Sequence, residues 1–212
     1  TNSRELMIRR KEGDDRIVLA SAAPIKEASG KVTSGVVVFS DITERKHASE
    51  VDAFLSQAGS KPSDEPFFDS LARFLSQYLQ MDYVCIDRLE GDQLTATTLA
   101  IWCDGHFEDN VTYALGDTPC GDVVGQKICC FPASVSQFFP RDQALQDLRA
   151  ESYIGTTLWS HTGRPIGLIA VISRRPLTNR LQAEVTMERV AMRAAGELER
   201  LLVEENLRQS EQ

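Results

Sequence analysis

The sequence predicts an α+β fold: a mostly antiparallel sheet with helices packed on one face, preceded by three short strands and a linker helix. Three observations predict it. Apolar residues alternate at period two in several short runs bounded by turn clusters. The period lengthens to three or four in three stretches, about 42–58, 67–79 and 181–207. From Ala48 onward the order is two helices, several strands, a crossing helix, two strands and a closing helix, which suits antiparallel strands covered by helices.

Taken in order, Glu5–Arg10 alternates poorly, while Arg16–Pro24 and Val32–Ile42 are rich in Val, Ile and small residues. Residues 12–15 (Glu-Gly-Asp-Asp) and 28–31 (Ala-Ser-Gly-Lys) are turn clusters between them. Residues 1–42 therefore form three antiparallel strands with one apolar face and too little chain to cover it. That bare face is expected to be buried against a second copy of the chain. Asp41-Ile42-Thr43-Glu44 fits a capping box, and Ala48, Val51, Phe54 and Leu55 follow at helical spacing. Asp41, Glu44 and Arg45 are thus the candidate cap and signal-transmission residues of a linker helix within residues 43–60. Gly59–Pro66 breaks that helix, and Phe67, Phe68, Leu71, Leu75 and Leu79 begin another.

Strands return at Tyr83–Leu89, Leu94–Cys103, Val111–Leu115 and Ile128–Phe131. Gly116–Gly125 is irregular, with Thr118-Pro119 as a helix start, and Asp142 caps a short helix reaching about Ala150. Tyr153–Ser160 and Ile166–Ser173 form a hairpin about residues 161–164 (His-Thr-Gly-Arg). Residues 61–180 make the core domain, and 181–212 a long C-terminal helix.

Of the 212 residues, 42% are hydrophobic and 25% charged, the composition of an ordinary globular protein. Lys and Arg total 23 against 31 Asp and Glu, a net charge of -8. That field repels phosphate backbones and anionic lipid, so neither nucleic acid nor a membrane is an expected partner. No apolar run approaches the roughly 20 residues that span a bilayer. Residues 1–6 carry no signal-peptide pattern, and the absence of an initiator Met leads us to expect a piece of a longer protein. Five cysteines without C-x-x-C spacing argue against a disulfide framework or a zinc site and for a reducing, cytoplasmic setting. Cys129 and Cys130 should point to opposite faces of their strand.

P-loop, G-x-G-x-x-G, H-E-x-x-H and G-x-S-x-G signatures are missing. His47, His106 and His161 read as solvated residues of turns or a polar helix face. No catalytic residue is expected. The alternative is a redox sensor or enzyme centred on Cys120, which follows Pro119 near a helix start where a thiolate is favoured; His106 could be drawn as its base.

Two resemblances refine this reading. Residues 36–46 (Val-Val-Val-Phe-Ser-Asp-Ile-Thr-Glu-Arg-Lys), with Asp14-Asp15-Arg16 in the first turn, resemble the carboxy-terminal strands of a PAS domain running into its signalling helix. From about Ala48 to Leu207 the chain resembles a GAF domain of bacterial sensor histidine kinases and diguanylate cyclases. The residues that carry this are 115–120 (Leu-Gly-Asp-Thr-Pro-Cys), 129–132 (Cys-Cys-Phe-Pro), 139–142 (Phe-Pro-Arg-Asp), 151–155 (Glu-Ser-Tyr-Ile-Gly) and 163–171 (Gly-Arg-Pro-Ile-Gly-Leu-Ile-Ala-Val). Residues 207–212 resemble the lead-in to another PAS domain.

The resemblance implies a non-catalytic sensory module of a signalling protein whose output domain lies outside this chain. It places a small-molecule site between the sheet and the covering segments 116–125 and 142–150, with Trp102, Tyr113, Cys120, Val123, Cys129, Phe131 and Thr156 as candidate lining. It names no cofactor: the Asn-Lys-x-Asp-Glu pattern of cyclic-nucleotide relatives, the Cys-His pair of bilin-binding ones and a cavity-facing axial histidine are all missing. A homodimer through residues 43–58 and 181–207 is expected, with Leu198, Leu201, Leu202 and Glu205 as a partial seam.

Overall fold

The computed structural model describes residues 2–9, 11, 15–58 and 65–210. Its first three strands, β1 (Asn2–Ile8), β2 (Arg16–Lys26) and β3 (Val32–Asp41), pair antiparallel in that order. Met7 lies opposite Ile17, and Ala20 opposite Phe39. The turn after β2 closes with Gly30 at φ +83°. Asp14, most of the first turn cluster and residues 59–64 of the linker lie outside the described residues. Val18 is buried where β2 meets the helix that follows, whereas Val36, Val37, Val38 and Phe39 are 47–62% exposed.

Helix α1 (Thr43–Ala58) is joined to this sheet through Thr43. Ile42 N–H donates to Ile17 O, and Ile17 N–H donates back to Thr43 Oγ1 at 2.8 Å. Asp41 Oδ1 accepts from both the N–H (3.0 Å) and the hydroxyl (2.6 Å) of Thr43. Asp41 therefore holds the first turn from one residue further out than the capping box predicts, because α1 starts at Thr43. The fixed partner is Thr43, while Glu44 and Arg45 are exposed.

The chain continues through α2 (Phe67–Leu79), β4 (Tyr83–Leu89), β5 (Thr95–Cys103), β6 (His106–Glu108), β7 (Thr112–Ala114) and α3 (Pro119–Val123). It then forms β8 (Cys129–Phe131), α4 (Val135–Phe138), α5 (Gln143–Leu148), β9 (Ser152–Trp159), β10 (Pro165–Ser173) and α6 (Arg180–Ser210). The second sheet has the order β6-β5-β4-β10-β9-β8, with β7 on the β5 edge, and every pairing is antiparallel. Strand β6 and helix α4 are additions to the sequence reading. Asp104 and Gly105, both at positive φ, make the two-residue turn that folds β6 back on β5.

Helices α2 and α6 cover one face of this sheet, and α1 packs on α6 on the same side. Val51, Leu71, Leu75, Ile86, Ile154, Leu158, Ile169, Met187 and Leu198 form one continuous core there. Each fully buried aliphatic side chain contributes about 1.5–3 kcal/mol. Phe54 of α1 stacks on Phe74 of α2 with centroids 3.9 Å apart. The opposite face is covered by α3, α4, α5 and their connecting loops, over Leu89, Ala96, Leu115, Val123, Leu145, Tyr153, Leu168 and Ala170.

Two expectations are corrected on the helical side. His47 is buried, not solvated: α1 turns it inward beside Ala48 and Val51, and its Nδ1 lies 3.3 Å from the Tyr78 hydroxyl. The seam read along α6 is largely used within the chain. Leu198 is buried on its own sheet, Leu201 and Leu202 pack at the edge of the same core, and Glu205 pairs with Arg88 at 3.0 Å. Met192, Val203 and Leu207 are the exposed apolar residues of α6.

Candidate functional site

Strand β4 lies between β5 and β10, so both of its edges are paired, and side-chain layers cover both of its faces. Side chains alternate along a strand, and Tyr83, Cys85, Asp87 and Leu89 fall on the side of α3–α5. A carboxylate is thereby placed in the middle of an apolar layer, with no exposed surface.

Tyr113 of β7 donates its hydroxyl to Asp87 Oδ2 at 3.0 Å. Asp87 Oδ1 is buried without a hydrogen-bond partner. Removing the carboxyl from water pushes its pKa up to about 7, while the Tyr113 hydrogen bond acts in the other direction.

Thr118 starts α3 by accepting from Gly121 N–H at 3.1 Å, with Pro119 in the first turn. This geometry brings Cys120 under the sheet, where the Tyr153 hydroxyl donates to its Sγ at 3.4 Å. Burial pushes the Cys120 thiol up to about 12, with the negative charge of Asp87 adding to the shift. The helix start does not make a thiolate here, because desolvation outweighs a five-residue helix. Burial likewise holds the Cys85 thiol and the Tyr113 and Tyr153 hydroxyls well above their ordinary values.

Side-chain tethers hold α3 and the turn after it. Thr157 donates to Val123 O and Thr156 to Lys127 O, each at 2.7 Å. The packing around them is tight. A Cβ on Gly155 would lie 2.6 Å from Tyr153 Oη and 2.8 Å from Val123 Cγ2.

Five of the seven candidate lining residues come together on this face: Tyr113, Cys120, Val123, Cys129 and Phe131. Trp102 and Thr156 do not. Trp102 joins the core under α2, with Phe107 edge-on at 4.7 Å and the Arg73 guanidinium 6.0 Å from its ring. The cause is an extra residue in β5: Ile86 pairs with Ala100 but Asp87 with Thr98, so Leu99 bulges. Beyond the bulge the even-numbered side chains change face, and Trp102 no longer follows Ala96. Thr156 shares the helical side with Ile154 and Leu158 and lines a groove of about 380 Å³ between β9 and α6. Cys129 and Cys130 do face opposite sides.

Asp87 and Tyr153 belong to the site although the sequence reading did not select them. An Asp inside the apolar run from Tyr83 to Leu89 was the available signal, and it becomes decisive only once β4 is known to be central. The drawn Cys120–His106 pair is not assembled. His106 is exposed and bonds Glu108 at 2.8 Å, while Cys120 is buried against Tyr153. Among the described residues, no group of three or more His, Cys, Asp or Glu could hold a metal ion. No described helix is long and apolar enough to cross a membrane. The site thus offers neutral hydroxyl and thiol groups around the buried Asp87, with the Asp142 carboxyl on the far side of Cys120.

The fold has solved counterparts. The chain is similar to the chromophore-binding domain of Stigmatella aurantiaca bacteriophytochrome in its Pr state, with a TM-score of 0.58 and 11% identity over 92% of this chain and 73% of that one. It is also similar to the GAF domain of an Acinetobacter phosphoenolpyruvate-protein phosphotransferase, with a TM-score of 0.58 and 14% identity over 77% of this chain and 97% of that one. No characterised protein sequence matches significantly. The family model that matches, over residues 65–198, is that of the GAF domain: the helix, sheet and covering loops that build the Asp87 site are those of the GAF family, to which this chain belongs.

Proposed function

We propose that this chain is a non-catalytic sensory module of a cytoplasmic signalling protein, in which occupancy of the α3–α5 face is relayed to the helices on the other side of the sheet. One arrangement carries the reading: a buried polar cluster and the packed pair α1 and α6 occupy opposite faces of a single sheet. The layer between them is thin at β10. A Cβ on Gly167 would lie 2.4 Å from the Asp87 backbone oxygen and 2.6 Å from Leu198 Cδ2 of α6. A shift of the strands around Asp87 therefore has only Gly167 between it and α6, and packed layers respond in discrete steps rather than by gradual bending.

The N-terminal sheet fits the same role as the end of a PAS domain. Its three antiparallel strands run through Asp41 directly into α1, the arrangement that residues 36–46 suggest. Thr43 then joins that sheet to α1, which packs on α6 with Asp52 and Arg189 3.8 Å apart. We read the exposed Met192, Val203 and Leu207 stripe of α6 as the contact of a homodimer, and a histidine kinase or diguanylate cyclase as the output.

The alternative centred on Cys120 is disfavoured by its neutral, buried thiol. Native mass spectrometry, compared with the denatured chain, tests the proposal. A dimer carrying a mass that denaturation releases supports it. A monomer at tens of micromolar that binds nothing from a small-molecule extract of its host contradicts it.

A further inference from the structure

The Asp87 site also indicates what kind of molecule it would take, an inference that rests on the sensory reading above. We propose that the Asp87–Tyr113 pair is a subsite for the cationic nitrogen end of a small organic ligand, an amidinium or guanidinium group, and that it rejects carboxylates and phosphates of similar size.

The chemistry follows from the unmatched oxygen. Tyr113 satisfies Oδ2, and Oδ1 is left buried without a hydrogen-bond partner, the Thr98 hydroxyl opposite it being spent on Asn110 and that of Tyr153 on Cys120. Such an atom costs stability until a donor reaches it. The groups around it do not supply a cation. Tyr113 from β7, Cys85 from β4, Cys120 from α3 and Tyr153 from β9 are all neutral, and Leu168 and Ala170 present only hydrocarbon from β10. The charges near this site are therefore negative: Asp87 at its centre and, beyond Cys120, the Asp142 carboxyl at the start of α5. A planar N–H fork matches a carboxylate in both charge and geometry, whereas an anion would face an acid with no basic side chain to offset it. The tight packing at Gly155 and Val123 limits the inserted group to a few heavy atoms unless α3 moves.

Binding of a cation requires the ionised acid. Where Asp87 is protonated, the proton must leave to solvent as the ligand enters, so affinity falls about tenfold for each pH unit below the carboxyl's own titration. The neighbouring hydroxyls and thiols stay neutral through that range and do not contribute.

Three probes of one shape separate charge from fit: acetamidinium, acetamide and acetate. The full chain, labelled for carbon-13 detection, is titrated with each at pH 8 while the Asp87 carboxyl and Tyr113 ring resonances are followed. A four-atom fragment binds at best weakly, so dissociation constants in the millimolar range are expected. Acetamidinium should give a saturable shift of both resonances, acetamide one at least about tenfold weaker, and acetate none. Asp87→Asn, which keeps an acceptor for Tyr113, should abolish the acetamidinium response. Tyr113→Phe, which keeps the charge, should retain it. Equal binding of acetate, an undiminished response in Asp87→Asn, or no saturable shift with acetamidinium overturns the proposal. A neutral or anionic molecule released in native mass spectrometry from this face would overturn the cation inference and leave the sensory reading standing. Acetamidinium binding without any dimer or transmitted change would do the reverse.

Discussion

Tyr113 donates a 3.0 Å hydrogen bond to one oxygen of Asp87, and the other oxygen of that carboxyl is buried without a partner. The pair sits in the middle of a sheet whose opposite face is packed by α2 and α6, with α1 against α6. A half-satisfied acid in such a place has consequences for stability, for pH dependence and for the movement of its neighbours.

The first consequence is a stability that falls with pH. Asp87 titrates near 3.8 in an unfolded chain and at about 7 in the fold, so the folded state holds its proton more tightly. Stability from this group is present below pH 3.8 and lost as pH rises to about 7, a loss of roughly 4 kcal/mol in all. Asp87→Asn lacks the titration. Its melting temperature relative to the natural chain should rise by roughly 5–10 °C between pH 5 and pH 8. Thermal denaturation at both pH values checks this, and a constant difference would show that Asp87 is not held as a buried acid.

Tyr113→Phe removes the one donor to the carboxyl. The variant should lose roughly 1–3 kcal/mol of stability, and the Asp87 carboxyl should titrate above its value in the natural chain. Chemical denaturation gives the first quantity and carbon-13 titration the second.

Thr157→Val tests the tether of α3. The shapes match, but Val123 O loses its 2.7 Å donor. A cost of roughly 1–2 kcal/mol is expected, with faster amide exchange across residues 119–126 and little change in β4. Unchanged exchange there would mean that α3 is held by packing alone.

The elements visible in the sequence were those with long or strongly punctuated patterns. The apolar spacing of α2, the Thr118-Pro119 start of α3 and the Asp142 cap of α5 were each legible, and Asp142 does accept from Leu145 N–H. Strand β6 shows no apolar pattern, since Phe107 is flanked by His106 and Glu108, although the Asp104-Gly105 turn is a usable signal. The site was half legible. Period two assigns a face only while a strand stays regular, so the bulge at Leu99 sent Trp102 to the wrong side. Asp87 was overlooked because its burial depends on β10, some eighty residues later, closing the other edge of β4.

Cys120 supplies a chemical check. With its thiol at about 12, only a minute fraction is ionised at pH 8. Native Cys120 should react with a thiol reagent at least about a thousandfold more slowly than free cysteine, and at an ordinary rate once the chain is unfolded. Rapid labelling of the folded protein would restore the redox reading.

The central claim is that the Asp87 face and the α1–α6 pair are coupled through one sheet, and amide hydrogen exchange of the natural chain and Asp87→Asn at pH 8 tests it most directly. We expect severalfold changes in protection in α3 and also across the sheet, in residues 43–58 and in α6 around Leu198. Changes confined to α3–α5, with α1 and α6 identical in the two proteins, would contradict it.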